Sequence, residues 1–388
     1  MARTDTLGNF LTDVAEAIRV KKGTTDTITA SNFDTEISNL PAGSGGKYAP
    51  RHISFIDYSG SELDSELRNL DIVNLTSMKN MFKNCKSLTM LNLSLLSNDL
   101  TNIVNMESFC AYCSKLTSLD LSYFTNTNNV TNFFSFATYC SKMSVCNLGE
   151  FDVTGATTLA QFFENCQDLV TINGVFITSD KLTTVARMFN GCYKITNAID
   201  IVSTLNTSNV TSFIQIFGNN RALVDADISN IDFTSATSIG SMFNNCYALE
   251  SFRISNENTH NLTDMSSMFY PCSKLKTVNF EKIDTSAVKN MSSMFNSCST
   301  LTSLDLTSFD TSNVTNMGTM FNSCSSLTYL NISTFDFSKV TSFGNMFNGV
   351  PVDCLIIVKS DAEKEWVLAR RSDFTNVKTL TELETEEA

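Results

Sequence analysis

Cysteine is the residue type in this chain with the greatest capacity for chemistry, because thiols form disulfides, bind metals and act as nucleophiles. The chain has twelve cysteines among 388 residues. Nine of them recur at one position of an internal repeat: Cys85, Cys113, Cys140, Cys166, Cys192, Cys246, Cys272, Cys298 and Cys324. Asn220 and Val350 stand at the same position in two further repeats, which argues against an obligatory disulfide or metal. We predict that this cysteine column is reduced and packs in the interior.

The spacing of Cys110 and Cys113 is the one Cys-x-x-Cys in the chain. Cys113 already belongs to the packing column, and a zinc site of this type needs a second pair nearby. If neighbouring column residues lie on packed helices, they are about 8–10 Å apart, beyond the roughly 4.4–6.8 Å between Cα atoms that a disulfide needs. The sequence therefore predicts no metal site and no cofactor.

General acid–base or nucleophilic catalysis has little support in the sequence. The two histidines, His52 and His260, lie in different parts of the chain, and neither accompanies a serine or cysteine nucleophile motif. Paired carboxylates can cleave polysaccharides, but no pair stands out among the scattered acidic residues. We expect a protein that is not an enzyme, with a polysaccharide depolymerase as the lowest-ranked alternative.

The repeat itself has a period of 26 residues with short insertions, and eleven copies follow one another. The motif Met-Phe-x-x-Cys-x-x-Leu is clearest at Met294–Leu301, and Leu-x-Leu follows it, as at Leu304–Leu306. The alternation predicts a short strand with apolar side chains inward. The spacing of Val314, Met317 and Phe321 predicts a short helix on the opposite side, with Thr311 or Ser312 capping its N-terminus.

Polar side chains are expected on the outward face of these strands, one per repeat. They are Asn92, Asp120, Asn147, Asn173, Asp200, Asp227, Arg253, Asn279, Asp305 and Asn331, joined by Tyr329. Parallel strands about 4.8 Å apart would align them in a ladder. Taken singly, each residue is best explained by hydrogen bonds within the ladder, with Arg253 beside Asp227. Taken together, they form a candidate groove for a glycan or peptide, with calcium at Asp200 and Asp227 as an open alternative.

The residues of one repeat, LDLTSFDTSNVTNMGTMFNSCSSL at 304–327, resemble the 26-residue surface-protein repeat of bacteria and mycoplasmas, which is related to BspA-like leucine-rich repeats. The resemblance extends over residues 51–358 and implies an adhesin or interaction module. With the residue pattern, it predicts an α/β repeat fold, a leucine-rich-repeat solenoid with a parallel sheet on one face and short helices on the other. The eleven repeats would occupy residues 51–350.

Two amphipathic helices are expected in residues 1–40, over 7–19 and 30–40. The stretch LGNFLTDVAEAIRVKKGTTDTITASNFDTEISNL is similar to N-terminal modules of phage minor structural and tail-fibre proteins. This resemblance implies a module that anchors the chain to other virion proteins and makes it a homo-oligomer. Residues 41–50 read as a Gly/Ser-rich linker, and residues 351–388 as a C-terminal cap with a solvated acidic tail.

The formal net charge of −13, with no cationic run, disfavours nucleic-acid binding. No run of 18 apolar residues and no signal-peptide pattern is present in the sequence, so we expect no membrane insertion and no secretion signal. The combined expectation is a phage virion protein, a tail-fibre or tail-tip adhesin that contacts a host-surface protein or glycan. The alternative is a bacterial surface or secreted adhesin.

Overall fold

The computed structural model describes residues 54–67, 70, 72, 75–96 and 100–386. The helices expected in residues 1–40 and the linker 41–50 lie outside the described residues. The strands are β1 Ser118–Asp120, β2 Val145–Asp152, β3 Thr171–Ile177, β4 Asp225–Asp227, β5 Ser251–Ser255, β6 Thr277–Glu281, β7 Ser303–Asp305, β8 Tyr329–Asn331, β9 Leu355–Val358 and β10 Val377–Thr379. The helices are α1 Asp64–Leu67, α2 Ala198–Ser203, α3 Asp361–Leu368 and α4 Leu380–Glu386, with a 3-10 turn at Leu93–Leu95.

All strand pairing in the described residues is parallel; the pairs from β1 to β9 join one repeat to the next, and β10 adds to β9 in the C-terminal segment. The strands form three sheets in the orders β1-β2-β3, β4-β5-β6 and β7-β8-β9-β10. A second, continuous column of parallel bridges on another side of the repeats links eleven residues from Ser77 to Ser342. The predicted leucine-rich-repeat solenoid with a parallel sheet is confirmed.

The predicted short helix of each repeat is wrong. In the segment around Met317 and Phe321, the N–H of Met317 donates to Ser342 O of the next repeat at 2.8 Å, and that of Phe321 to Met346 O at 2.9 Å. The N–H groups between them bond three residues back, as from Met320 to Met317 O at 3.2 Å. Thr319 has a φ of 54°, a left-handed conformation that an α-helix does not contain. The segment is a series of tight turns, which we call the turn layer.

Both kinds of structure place every third and fourth side chain on one face, so the apolar pattern does not distinguish them. The distance between consecutive repeats decides whether the segment forms a helix or a series of tight turns. Packed helices lie about 8–10 Å apart, whereas parallel strands lie about 4.8 Å apart. In the turn layer, Phe269, Phe295 and Phe321 stack with ring centroids 5.6 Å and 6.0 Å apart. Turns that hydrogen-bond to the next repeat therefore match the strand spacing, and helices would not.

Stacked phenylalanines run through the core as a ladder. Phe243, Phe269, Phe295, Phe321 and Phe347 stack in succession with interplanar angles of 20° or less, and each is at most 1% exposed. Burying one such side chain contributes about 1.5–3 kcal/mol. Since each of these rings contacts the next along the chain, the core is shared between consecutive repeats, and a single repeat cannot complete it alone.

The cysteine column has a hydrogen-bonding role beside this ladder. All twelve cysteines are free and buried. The thiol of Cys324 donates to Phe295 O of the preceding repeat at 3.1 Å, and that of Cys272 to Phe243 O at 3.2 Å. In the repeat that lacks the cysteine, Asn220 Nδ2 donates to the equivalent carbonyl, Phe189 O, at 2.8 Å. In ten of the eleven repeats the column residue is therefore a small side chain that also donates a hydrogen bond, and Val350 of the last repeat is the exception.

Thr311 does not cap a helix as expected. It is 0% exposed. Its hydroxyl donates to Asp336 O at 3.3 Å and accepts from Asp336 N at 2.7 Å, which joins two consecutive repeats. Thr285 makes the same pair of bonds with Asp310 at 2.9 Å and 2.8 Å. These threonines therefore stabilise the stacking of consecutive repeats through hydrogen bonds between them.

The C-terminal segment closes the last repeat with β9, β10, α3 and α4. Arg371 Nη1 donates to Phe347 O at 2.6 Å, the carbonyl that the cysteine of a further repeat would contact. Trp366 of α3 stacks on Phe337 with centroids 4.0 Å apart. The acidic tail is not merely solvated, because α4 spans Leu380–Glu386 and Glu382 forms an ion pair with Lys364 at 2.7 Å.

Candidate functional site

Most of the residues predicted for the outward strand face lie on strands and in register. Asp120 pairs with Asn147, which pairs with Asn173, on β1, β2 and β3. Asp227, Arg253 and Asn279 align in the same way on β4, β5 and β6. Asp305 pairs with Asn331 on β7 and β8, and Tyr329 lies on the same face two residues before Asn331. We call this set of nine aligned residues the strand face.

Asn92 and Asp200 do not belong to the strand face, and their assignment to strands was wrong. Asn92 precedes the 3-10 turn at Leu93–Leu95, and its Oδ1 accepts from Ser94 Oγ at 2.6 Å. Asp200 is exposed in the first turn of α2.

Helix α2 forms because its buried residues Ala198, Ile201 and Val202 follow helical spacing and not alternation. The backbone N–H and C=O groups of the neighbouring strand β3 still have hydrogen-bond partners at this point. Asn197 Nδ2 donates to Ile172 O at 2.8 Å, and Asn197 Oδ1 accepts from Ile172 N at 3.3 Å. A side-chain amide thus replaces the peptide group of the missing strand.

The acidic residues of the strand face are engaged mainly in local turns. Asp120 Oδ1 accepts from Ser122 N at 3.0 Å, Asp227 Oδ1 from Ser229 N at 3.0 Å, and Asp305 Oδ1 from Thr307 N at 2.9 Å. These bonds end each strand with an Asx turn. Hydrogen bonds from Ser229, and then the charge of Arg253, lower the pKa of Asp227, which keeps its carboxylate ionised.

Bonds along the ladder are fewer than expected. Asn147 Nδ2 donates to Asp120 Oδ1 at 3.1 Å across neighbouring repeats. Arg253 is in register with Asp227, yet its guanidinium forms an ion pair with Glu281 at 3.2 Å. Both partners of that pair have more than half of their side chains exposed, so the pair contributes at most about 1 kcal/mol to folding. The strand face is therefore held by turns and remains open to solvent.

The described residues contain no group of three or more His, Cys, Asp or Glu side chains placed to hold a metal ion. The calcium alternative required Asp200 and Asp227 on aligned strands, and Asp200 lies instead on α2. His260 is exposed and contacts Asn261 Nδ2 at 3.1 Å, whereas His52 lies outside the described residues.

The thiols are poor nucleophiles at neutral pH. Burial raises the pKa of Cys110 to about 11 and that of Cys246 to about 12. Since the thiolate is the reactive form, buried thiols with raised pKa values remain protonated and unreactive. This agrees with a role for the column in packing.

The four tyrosines that flank the cysteine column, Tyr112, Tyr139, Tyr193 and Tyr247, are predicted by their position to be half-buried, and the structure contradicts this for three of them. Tyr112 and Tyr139 are 40% and 43% exposed and stack at 4.9 Å with an interplanar angle of 7°. Tyr193 does lie half-buried, under the guanidinium of Arg221 at 4.1 Å. Tyr247 is also exposed, at 41%.

The backbone of Tyr112 and Tyr139 has φ values of 65° and 59°. The left-handed region costs an L-residue roughly 1–2 kcal/mol, and it favours Gly and Asn. One stacked pair contributes about 0.5–1.5 kcal/mol, which offsets only part of two such costs. Sequence reasoning missed these residues because the left-handed conformation follows from the turn layer. Their position directly before the column cysteine, where all other repeats except the one with Pro271 carry Asn, Gly or Ser, was the available signal.

Among the described residues, no helix is both long and apolar enough to cross a membrane. Solved structures of similar fold include a leucine-rich cell surface protein from Faecalibacterium prausnitzii, at 16% identity and a TM-score of 0.37, with 76% of this chain and 79% of that chain covered. A leucine-rich-repeat protein from Bacteroides ovatus is similar at 16% identity and a TM-score of 0.33, with 79% and 82% covered.

No curated protein matches the chain. The family described as "Mycoplasma protein of unknown function, DUF285" matches residues 53–174, 157–277 and 248–353, which together cover more than half of the sequence. The expected relationship of the repeats to those of mycoplasma proteins is thereby confirmed. The chain belongs to the DUF285 family.

Proposed function

We propose that this protein is an adhesin that binds a host cell-surface protein or glycan through the outward surface of its solenoid. The proposed display site is a phage tail fibre or tail tip. Residues 1–40 would anchor the chain to other virion proteins and hold it as a homo-oligomer. The similarity of that N-terminal stretch to phage structural modules supports this placement, and the surface-type repeats support adhesion.

One observation carries the binding proposal. Asp227, Arg253 and Asn279 lie in register on three adjacent strands, and all three side chains are exposed. Their neighbours along the strands, such as Ala226 and Phe252, are buried in the core. The strand face is thus a rigid, polar surface of alternating charge and amide groups, suited to hydrogen bonding with a partner.

The test uses two exposed ion pairs, each of which joins the strands or loops of the same two repeats. Arg253 of the strand face pairs at 3.2 Å with Glu281, the last residue of β6, whereas Glu257 and Lys282, 3.1 Å apart, both lie after the ends of their strands. We expect the double variant R253A/E281A to lose binding to host cells. The matched variant E257A/K282A should bind as the unaltered protein does, with similar stability. Equal binding by both variants would contradict a role for the strand face.

A bacterial surface adhesin is the second candidate, and membership in a family described from Mycoplasma favours it. Immunogold labelling separates the two. Labelled tail structures on purified phage particles would support the virion placement, and labelled bacterial envelopes would support the alternative.

The anchoring role of residues 1–40 can be tested in the full chain. Leu11 and Ile18 lie on the apolar side of the first predicted helix. We expect L11E/I18E to abolish incorporation into particles, and unchanged incorporation would refute the assignment.

We also propose that the protein has no catalytic activity. The raised pKa values of the thiols and the local engagement of the strand-face carboxylates support this proposal. The appearance of reducing ends after incubation with host-cell polysaccharide would favour the depolymerase alternative instead.

A further inference from the structure

We infer that Tyr112 and Tyr139 form a binding site for a neutral sugar ring, with Asn165 as its polar partner. This inference rests on the proposed adhesin function and names a ligand class and a site outside the strand face. The two rings lie on consecutive repeats, before Cys113 and Cys140. We call the position directly before the column residue the rim position.

The rim position has a left-handed backbone in ten of the eleven repeats. Its occupants there are Asn84, Tyr112, Tyr139, Asn165, Gly191, Asn219, Asn245, Ser297, Ser323 and Gly349, with φ between 59° and 78°. Eight of these ten are Asn, Gly or Ser, which tolerate this conformation or lose little in it. Tyrosine is the exception, and the rings are too exposed for core packing to explain it.

Each ring of the stacked pair has one face that the other ring does not cover. The uncovered face of Tyr112 is directed toward the preceding repeat, where Asn84 Nδ2 donates to Asp57 Oδ1. Because Tyr139 stacks on Tyr112 of the preceding repeat, its other face is on the side of the following repeat, where the rim position holds Asn165. One repeat further it holds Gly191, which has no side chain. The rim side chains therefore become smaller in two steps, from Tyr139 to Asn165 and then to Gly191.

Asn165 follows the first of these steps and is available for a ligand. A Cβ atom at Gly191 would come 2.3 Å from Asn165 Oδ1, so the Asn165 amide lies over the bare backbone of the next repeat. Asn84, Asn219 and Asn245 each donate a side-chain hydrogen bond to a neighbouring side chain. Within the described part of the chain, the Asn165 side chain makes no such bond.

A pyranose ring fits this combination. Its C–H face carries slight positive charge and stacks on the electron-rich face of Tyr139. Its hydroxyl or acetamido groups can bond to the Asn165 amide, which both donates and accepts. The charged groups nearby are already engaged, since Asp168 bonds Lys142 at 2.9 Å and Lys194 at 2.6 Å, and the buried carboxylate of Glu164 accepts from Asn190 Nδ2 at 3.0 Å. A neutral sugar therefore suits this position better than a charged ligand.

Substitution to asparagine provides a test that does not threaten folding. Asparagine is the commonest rim residue and tolerates the left-handed backbone, so Y139N should unfold at the same or a higher temperature than the unaltered protein. Chitohexaose and maltohexaose are the probes, titrated into the full chain and followed by saturation-transfer NMR and calorimetry. We expect saturation transfer to one of the two sugars, and about tenfold weaker binding by Y139N and by N165A.

The matched control is Y247N. Tyr247 is also exposed, but its hydroxyl donates to Asn245 Oδ1 at 2.8 Å, and it stacks on no tyrosine among the residues that the structure describes. Y247N should bind the sugar with unchanged affinity. Unchanged affinity of Y139N, or no binding of either sugar by the unaltered protein, would overturn the inference.

Cell adhesion separates this inference from the proposed function. If the unaltered protein adheres to host cells, periodate oxidation of cell glycans should abolish adhesion and Y139N should adhere poorly. Adhesion that is lost on protease treatment of the cells and survives periodate indicates a protein partner. That result would support the adhesin and refute the sugar site. If the protein does not adhere to cells, the proposed function fails, and the sugar titration alone decides the inference.

Discussion

Replacing Asn220 by cysteine should stabilise the protein. Asn220 is the one asparagine in the cysteine column and is 0% exposed. Its Nδ2 donates to Phe189 O at 2.8 Å, but its Oδ1 has no hydrogen-bond donor within reach among the described residues. A buried acceptor without a partner costs about 1–3 kcal/mol. Cysteine removes this acceptor and keeps a donor, as Cys246 shows by bonding to Phe217 O at 3.1 Å.

The net gain in the free energy of unfolding from N220C is smaller than the cost of the unpaired acceptor. A thiol is a weaker donor than an amide, so part of the roughly 0.5–1.5 kcal/mol of the present hydrogen bond is lost. We expect N220C to raise the free energy of unfolding by about 1 kcal/mol. The measurement is urea denaturation followed by circular dichroism, with a reducing agent present to keep the thiols free.

N220V separates the effect of removing the unpaired acceptor from the effect of keeping a donor, because valine has neither group. Valine is the natural column residue of the last repeat, at Val350. Phe189 O would keep only the bond from Cys192 N at 3.2 Å. N220V should therefore be less stable than N220C by about 1 kcal/mol. A destabilised N220C, or equal stability of N220C and N220V, would refute the explanation of the column as a series of hydrogen-bond donors.

Three further predictions follow from the core and the cap. R371A should lower the free energy of unfolding by about 1.5–3 kcal/mol, because Phe347 O loses a charged donor, and Trp366 fluorescence during urea unfolding would report it. Burial raises the pKa of Cys246 and Cys324 to about 12, so folded thiols stay protonated while unfolded thiols ionise above about pH 8.5. Stability should therefore be intact below that pH and fall as pH rises toward 12, and thiol reagents should react only on unfolding. G174A should destabilise the protein by more than about 1 kcal/mol in urea denaturation, because Gly174 has a φ of 88° and a Cβ there would lie 2.3 Å from Gly149 O.

The repeat and its inward face were predictable from the sequence alone. Apolar residues at two-residue spacing, as at Leu304 and Leu306, specify which side of a strand is buried, and their recurrence specifies stacking. The same reasoning located most of the strand face, because the side chain between two inward residues must point outward. The assignment of Asp200 to a strand was wrong because its repeat carries helical spacing at Ala198, Ile201 and Val202. This local change was concealed by the consensus of the other repeats.

The turn layer could not be predicted in this way. Spacings of three and four residues are common to an α-helix and to a series of tight turns, so Met317, Met320 and Phe321 would be buried in either. The choice depends on the distance to the next repeat, which becomes defined only when the strands have paired. The exposed tyrosines depend on that choice too, since their left-handed backbone exists only in the turns.

The sequence by itself determined that the chain is built from stacked repeats, which side chains enter the core, and that the column position requires a small residue. Only the tertiary structure decided why that residue is cysteine. The thiol of Cys324 reaches Phe295 O, a carbonyl 29 residues earlier in the chain, and Asn220 and Arg371 supply donors to the equivalent carbonyls where no cysteine is present. Packing alone would accept alanine or valine, but a carbonyl brought close by stacking makes a hydrogen-bond donor favourable.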